Sequence, residues 1–234
     1  MEHLQDKYFS IVGDSISTLA DVSYPADAVY YTHQRKHDAN IFTPEDTWWG
    51  QVLTAVGGKL LVNDSFSGST VVKSPACFVE SYTCSDERTS YLHKGDLMPD
   101  VIMIYMGTND RGICAKPAAT EAGEETDLSV FSTAYDRMLQ KLRANYPISQ
   151  IWCLTLPVCY CSNNEHFAFP YVHGGWHIEQ FCDTIRTCAQ RYGCRVIDAY
   201  AQTAENPYDS MDGCHPNVQG MTTIANAVLA ELKG

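Results

Sequence analysis

Ser15 closes Gly13-Asp14-Ser15, directly after the apolar run Tyr8-Phe9-Ser10-Ile11-Val12, and close to the C-terminus the chain reads Asp212-Gly213-Cys214-His215-Pro216. A serine hydroxyl is a weak nucleophile at its free pKa. It needs an adjacent base, and the base needs a third group to orient it. Ser15, His215 and Asp212 are the residue types for those three tasks, the material of a nucleophilic hydrolase. Each motif also has a plain structural use. Gly and Asp favour turns, and Ser15 would equally cap a helix starting near Ile16. Two further motifs follow apolar runs: Asn63-Asp64-Ser65-Phe66-Ser67-Gly68 and Gly107-Thr108-Asn109-Asp110. Acyl transfer requires a nucleophile, a base, an orienter and donors for the developing oxyanion, and the four motifs together carry all of them. Asp14 reads as a turn residue and Asp110 as structural. Asn109 and Asp212 also suit turns, whereas His215 in His-Pro-Asn before a helix has little other use.

These motifs need a frame that brings distant residues together. Apolar runs predict strands over 8–12, 59–62, 101–106, 150–154 and 195–197, several of them continuous and rich in Val, Ile and Leu, as parallel strands covered on both faces are. Segments of helical period alternate with them over 47–56, 128–146, 175–192 and 217–233. In the last, Val218, Met221, Ile224, Ala225, Val228 and Leu232 form one stripe, and Gly234 follows as a stop. The alternation predicts an α/β fold: a three-layer α/β/α sandwich around a central parallel sheet of about five strands. In such a sheet the strand ends share one edge, so all four motifs converge there. Stretches 21–43, 74–98 and 111–126 fit no regular element and are expected to crowd the same edge. With no internal repeat, low-complexity tract or linker, residues 1–234 read as one domain.

Composition narrows the chemistry. The 234 residues are 45% hydrophobic and 19% charged, a globular balance. Sixteen basic against 28 acidic residues give a net charge of −12, which disfavours binding to a phosphate backbone, so no nucleic-acid partner is expected. No apolar run is long enough to span a bilayer, and the polar start Met1-Glu2-His3-Leu4-Gln5-Asp6-Lys7 lacks a leader pattern. That predicts a cytoplasmic protein, with a secreted protein whose signal has been removed as the alternative. Ten cysteines fall well below the ~8–10% of a disulfide scaffold. They read as reduced thiols, Cys153 within Ile151-Trp152-Cys153-Leu154 among them. No Cys-x2-Cys pair occurs, and Cys182, Cys188 and Cys194 recur every six residues, off any single helical face. His166, His173 and His177 share a glycine- and aromatic-rich stretch without an acidic partner at ligand spacing. No metal and no cofactor is expected.

The four ordered motifs, spread over essentially the whole chain, resemble those of the SGNH hydrolases, also called the GDSL esterase/lipase family. The resemblance implies a flavodoxin-like fold with Ser15 as nucleophile, His215 as base and Asp212 as its orienter. It implies an oxyanion hole made by the backbone N–H groups of Ser15 and Gly68 and the side chain of Asn109. Members of the family cleave short acyl esters, acetylated sugars, lysophospholipids and thioesters. A serine esterase is therefore expected, with an acyltransferase using the same acyl-enzyme, or a silent binder of acylated ligands, as alternatives. Tyr24, Tyr30, Tyr31, Trp48, Trp49, Phe169, Tyr171 and Trp176 lie near loops that would frame the site, which leans towards a small-molecule or carbohydrate ester as partner. Trp48 and Trp49 begin a helix with apolar neighbours and read equally as core. No extended apolar groove shows in the pattern, so short acyl chains, acetyl above all, are expected.

Overall fold

Five apolar runs pair into one parallel sheet in a computed structural model that describes residues 2–233; Met1 and the expected stop Gly234 lie outside the described residues. The strands are β1 (Tyr8–Gly13), β2 (Lys59–Ser65), β3 (Val101–Tyr105), β4 (Gln150–Leu154), β5 (Cys159–Tyr160), β6 (Val172–His173), β7 (Trp176–His177), β8 (Arg195–Ile197) and β9 (Tyr208–Asp209). The sheet order is β2-β1-β3-β4-β8. Burial follows that order. Central β3 is buried at every residue, while edge strand β2 is buried only at alternate ones.

The helices are α1 (Arg35–Asp38), α2 (Trp48–Val56), α3 (Asp86–Ser90), α4 (Thr108–Gly112), α5 (Phe131–Asn145), α6 (Ile178–Arg191), α7 (Ala199–Glu205) and α8 (Val218–Glu231). Helix α2 packs on α8 and α5 packs on α6, the two outer layers of the sandwich. Thr47 caps α2 by accepting the Gly50 N–H, and Asn217 caps α8 by accepting the Gly220 N–H. The helix expected over 175–192 starts later, at Ile178. Gly174 (φ 57°) and Gly175 (φ 84°) turn the chain so that β6 and β7 pair antiparallel, and His177 then caps the helix. Helices α1 and α3 fall within stretches that the sequence leaves irregular.

Two features position the site. After β1 the chain crosses to β2 on one side of the sheet and then to β3 on the other, so the order reverses between β1 and β3. Open α/β sheets bind ligands at such a point, and here it lies between the turn after β1 and the turn after β3. Beyond the main sheet, β5 pairs in parallel with β9, Cys159 opposite Tyr208 and Tyr160 opposite Asp209, which ties the segment before His215 to the end of the β4 arm.

Trp48 and Trp49 are core, 0% and 1% exposed. Their indole N–H groups reach Ser17, Trp48 Nε1 donating to its Oγ (3.1 Å) and Trp49 Nε1 to its carbonyl (3.0 Å), so core packing fixes the turn that holds Ser15. Tyr31 is equally buried and donates its hydroxyl to the Pro216 carbonyl. All ten cysteines are free thiols, and no helix among the described residues is long and apolar enough to cross a membrane.

Candidate active site

Strand β1 ends where a side chain at Gly13 would come within 2.6 Å of Ser17 and 2.7 Å of Ser65 Oγ, so only glycine lets the turn close against β2. Asp14 serves that turn. Its Oδ1 accepts the Ile16 N–H at 3.0 Å, and burial pushes its carboxyl up to about 6 despite the opposing pull of that N–H and of His215. Ser15 opens a 3-10 turn (Ser15–Ser17), which leaves its N–H among the donors such a turn does not satisfy internally.

The loop after β9 brings the other two groups. Asp212 Oδ1 accepts the backbone N–H groups of Cys214 (3.0 Å) and His215 (2.8 Å), an Asx-type turn that folds the loop back on itself. Asp212 Oδ2 then lies 2.8 Å from His215 Nδ1, and His215 Nε2 lies 2.9 Å from Ser15 Oγ. Burial opposes ionisation of Asp212. The hydrogen bond and charge of His215, its backbone N–H and the Tyr30 hydroxyl outweigh that cost and hold the carboxyl well below the usual range. The carboxylate can only accept, so Nδ1 carries the imidazole proton and Nε2 is left to receive the serine hydroxyl. Ser15 is 5% exposed, whereas the Asp212 side chain stands 44% open to solvent.

Gly68 and Asn109 are brought together through Ser69. Gly68 has φ +82°, a conformation that L side chains rarely adopt, and its N–H has no hydrogen-bond partner among the described residues. Asn109 Nδ2 donates to the Ser69 carbonyl at 2.8 Å, which fixes the amide beside Gly68 and leaves its second N–H over. Asp110 is a buried structural tie: it accepts the Val71 and Val72 N–H groups, and burial pushes its carboxyl up to about 7 against their pull. A second tie is Arg88 of α3, 7% exposed. Its guanidinium makes five hydrogen bonds, to Asp64 Oδ2, the Asp64 carbonyl, Ser69 Oγ, Ser81 Oγ and the Gly13 carbonyl. It joins the Ser15 turn to the Gly68 turn, and no sequence signal singles it out.

Around this group, Phe78 and Val79 pack against Gly68, and the Phe167 ring packs on Gly213. The Arg111 guanidinium lies 5.2 Å over the Phe169 ring, and two of its nitrogens are buried without a partner. The three histidines of the glycine-rich stretch do not converge. His173 Nε2 reaches the Gly112 carbonyl, His177 caps α6, and His166 faces Glu165 on the surface. Tyr30, singled out in the sequence only as a loop aromatic, donates to Asp212 Oδ2 at 2.9 Å and stacks on His215.

The arrangement is a hydroxyl, an imidazole and a carboxylate in hydrogen-bonded sequence, with the Ser15 and Gly68 N–H groups and one Asn109 amide N–H left over at neighbouring strand ends, a set chemically suited to acyl transfer. Known proteins point the same way. A family model for GDSL-like lipase/acylhydrolase matches residues 7–159. No curated protein sequence matches the chain. A candidate GDSL-like lipase from Bacteroides ovatus is similar in structure with a TM-score of 0.72 at 22% identity, over 98% of this chain and 99% of that one. Another from Bacteroides uniformis gives 0.70 at 26% identity, over 97% and 96%. A carbohydrate esterase family 2 enzyme with a carbohydrate-binding domain, from Corynascus thermopiles, gives 0.58 at 16% identity, over 97% of this chain and 67% of that one. The family model spans more than half of the chain and three of its four motifs, and the chain belongs to the GDSL-like lipase/acylhydrolase family.

Proposed function

We propose that the protein is a serine esterase that hydrolyses short-chain acyl esters, acetyl esters of carbohydrate above all, through an acyl-enzyme on Ser15. The observation that carries the reading is the unbroken relay from Ser15 Oγ through His215 (2.9 Å) to Asp212 (2.8 Å). Ser15 Oγ attacks the ester carbonyl while His215 Nε2 takes its proton. The N–H groups of Ser15 and Gly68 and the free amide N–H of Asn109 receive the oxyanion. His215 returns the proton to the leaving alcohol, and the ester oxygen departs with it. Water then attacks the acyl-enzyme, again losing its proton to Nε2, and the acid leaves as Ser15 is reprotonated.

Phe78 and Val79, which pack against Gly68, support a short acyl group by narrowing the space next to that residue. Phe169, Tyr171 and His177, packed in a row, support a sugar ring as the alcohol part. Trp48, Trp49 and Tyr31 are removed from that role by burial. The same overall fold in a carbohydrate esterase is compatible with the reading.

The test is hydrolysis of p-nitrophenyl esters of two to twelve carbons by wild type and Ser15→Ala. Two-carbon esters should turn over fastest, and Ser15→Ala should lose about 10⁵- to 10⁶-fold in kcat. Activity surviving in Ser15→Ala would sink the assignment of the nucleophile, and faster turnover of twelve-carbon esters would sink the short acyl pocket.

A further inference from the structure

We propose that Tyr30 is a positioning residue for the relay, holding the plane of the His215 imidazole and sharing Asp212 with it. The proposal rests on the reading of Ser15 and His215 as nucleophile and base. Tyr30 and His215 are stacked with ring centroids 3.4 Å apart and planes 7° from parallel. The Tyr30 hydroxyl donates to Asp212 Oδ2 at 2.9 Å, the same oxygen that faces His215 Nδ1 at 2.8 Å. One side chain thus touches both members of the base pair.

The imidazole is held by one hydrogen bond at each nitrogen. Two bonds at opposite ends fix the ring along the line joining them and leave it free to roll about that line. A flat wall against its face removes the roll. The wall is itself braced. Arg35 places its guanidinium carbon 4.5 Å from the Tyr30 ring centroid, which the imidazole at 3.4 Å forces onto the opposite face. Tyr31 packs edge-on against Tyr30, with centroids 5.1 Å apart and planes at 79°, and its own hydroxyl donates to the Pro216 carbonyl at 2.7 Å.

Tyr30 is also tied to the nucleophile. Its backbone N–H donates to Thr18 Oγ1 at 2.9 Å, and the Thr18 hydroxyl donates to the Ser15 carbonyl at 2.8 Å. The residue therefore bridges the turn that carries Ser15 and the loop that carries His215. Burial and the neighbouring Asp212 push the phenol's own ionisation well above its usual range, so it remains a donor at every working pH. As a second donor on Asp212 Oδ2 it takes part of the carboxylate's charge and weakens its pull on the Nδ1 proton. The π face beside the ring favours the imidazolium formed during attack.

The test uses Tyr30→Phe and Tyr30→Leu in the full chain, with Ser15→Ala and Asp212→Ala in the same series. Two readouts are taken: kcat and KM on p-nitrophenyl acetate, and the low-field proton NMR resonance of the His215 Nδ1–H, identified by its loss in Asp212→Ala. Tyr30→Leu should lower kcat about 10- to 100-fold with KM held within about twofold, the signature of a misplaced base rather than a lost binding contact. Tyr30→Phe, which keeps the wall, should recover most of that loss and move the resonance to lower field, because the competing donor is gone. An unmoved resonance in Tyr30→Phe, or a Tyr30→Leu kcat equal to wild type, would overturn the proposal. If Tyr30→Leu fails to fold, the isosteric Tyr30→Phe resonance decides alone. Turnover surviving in Ser15→Ala would instead refute Ser15 as the nucleophile, and the resonance reports the Tyr30 contact whether or not the enzyme turns over.

Discussion

Replacing Asp212 by asparagine exchanges one oxygen of a carboxylate for an NH2 group, and the surroundings decide which one. Asp212 faces four donors: the Cys214 and His215 N–H groups on Oδ1, and His215 Nδ1 and the Tyr30 hydroxyl on Oδ2. Backbone N–H groups cannot reverse their sense, and turning the NH2 onto them would cost about 1 kcal/mol each, the low figure reflecting an exposed loop. On the other side both partners can adapt. The Tyr30 hydroxyl can rotate to accept, and the imidazole can move its proton from Nδ1 to Nε2. The amide therefore settles with its NH2 towards His215 and selects the tautomer whose Nε2 carries a hydrogen. That nitrogen points at Ser15 Oγ, 2.9 Å away, and can no longer take the serine proton. The expected loss in kcat for Asp212→Asn is about 10⁴-fold, about 5 kcal/mol in the barrier, with KM little changed. Steady-state hydrolysis of p-nitrophenyl acetate measures the loss, and nitrogen-15 NMR of the labelled imidazole reads the tautomer. A variant within about tenfold of wild type, or one that is inactive yet keeps its proton on Nδ1, would refute this reasoning.

Asn109→Ala removes one of the three proposed oxyanion donors and should lower kcat about 10²- to 10³-fold, with fluorophosphonate labelling of Ser15 slowed in parallel; unchanged kcat would remove Asn109 from the proposed oxyanion site. Stability should also depend on pH through two buried carboxyls. Asp14 and Asp110 ionise near 3.8 in the unfolded chain and are raised by burial to about 6 and about 7 in the folded one, so the folded protein binds more protons in between. Their contribution is present below the unfolded value and is lost as pH rises through about 6 and about 7. Urea midpoints of wild type and Asp14→Asn measured from pH 4 to 8 should therefore differ by an amount that grows towards pH 6, and a constant difference would place the Asp14 pKa elsewhere.

The five main strands are legible because strands covered on both faces must be continuous apolar runs, and Val101–Tyr105 is the plainest of them. The long helices are legible from their stripes and from caps such as Thr47 and Asn217. Helix α3, with sequence DERTS, carries no stripe, and two-residue strands such as β5 and β9 carry no periodicity at all. The site divides in the same way. Ser15, Asp212 and His215 stand out because the chemistry fixes their types, and Gly68 and Asn109 because their motifs follow strands. Tyr30 is one of several tyrosines in 21–43, and nothing local distinguishes the one that stacks on His215. Arg88 acts only through partners 7 to 75 positions away, so its role exists in the fold and not in any window of sequence. Trp48 and Trp49 suit a core and a loop platform equally in sequence, and it is the fold that buries both and ends their indole N–H groups on Ser17.

The Ser15–His215 hydrogen bond spans 200 positions of chain, and the β5–β9 pair that steadies the histidine loop joins the end of the β4 arm to the last quarter of the chain. Contacts of such long range are costly in loop entropy and form late. A chain still emerging during synthesis holds Ser15 without His215 until β9 and the loop after it have docked. Esterase turnover is therefore a reporter of completed folding: during refolding it should return with the slowest phase, behind helix formation, and a fragment ending before β9 should bind ligand poorly and turn nothing over.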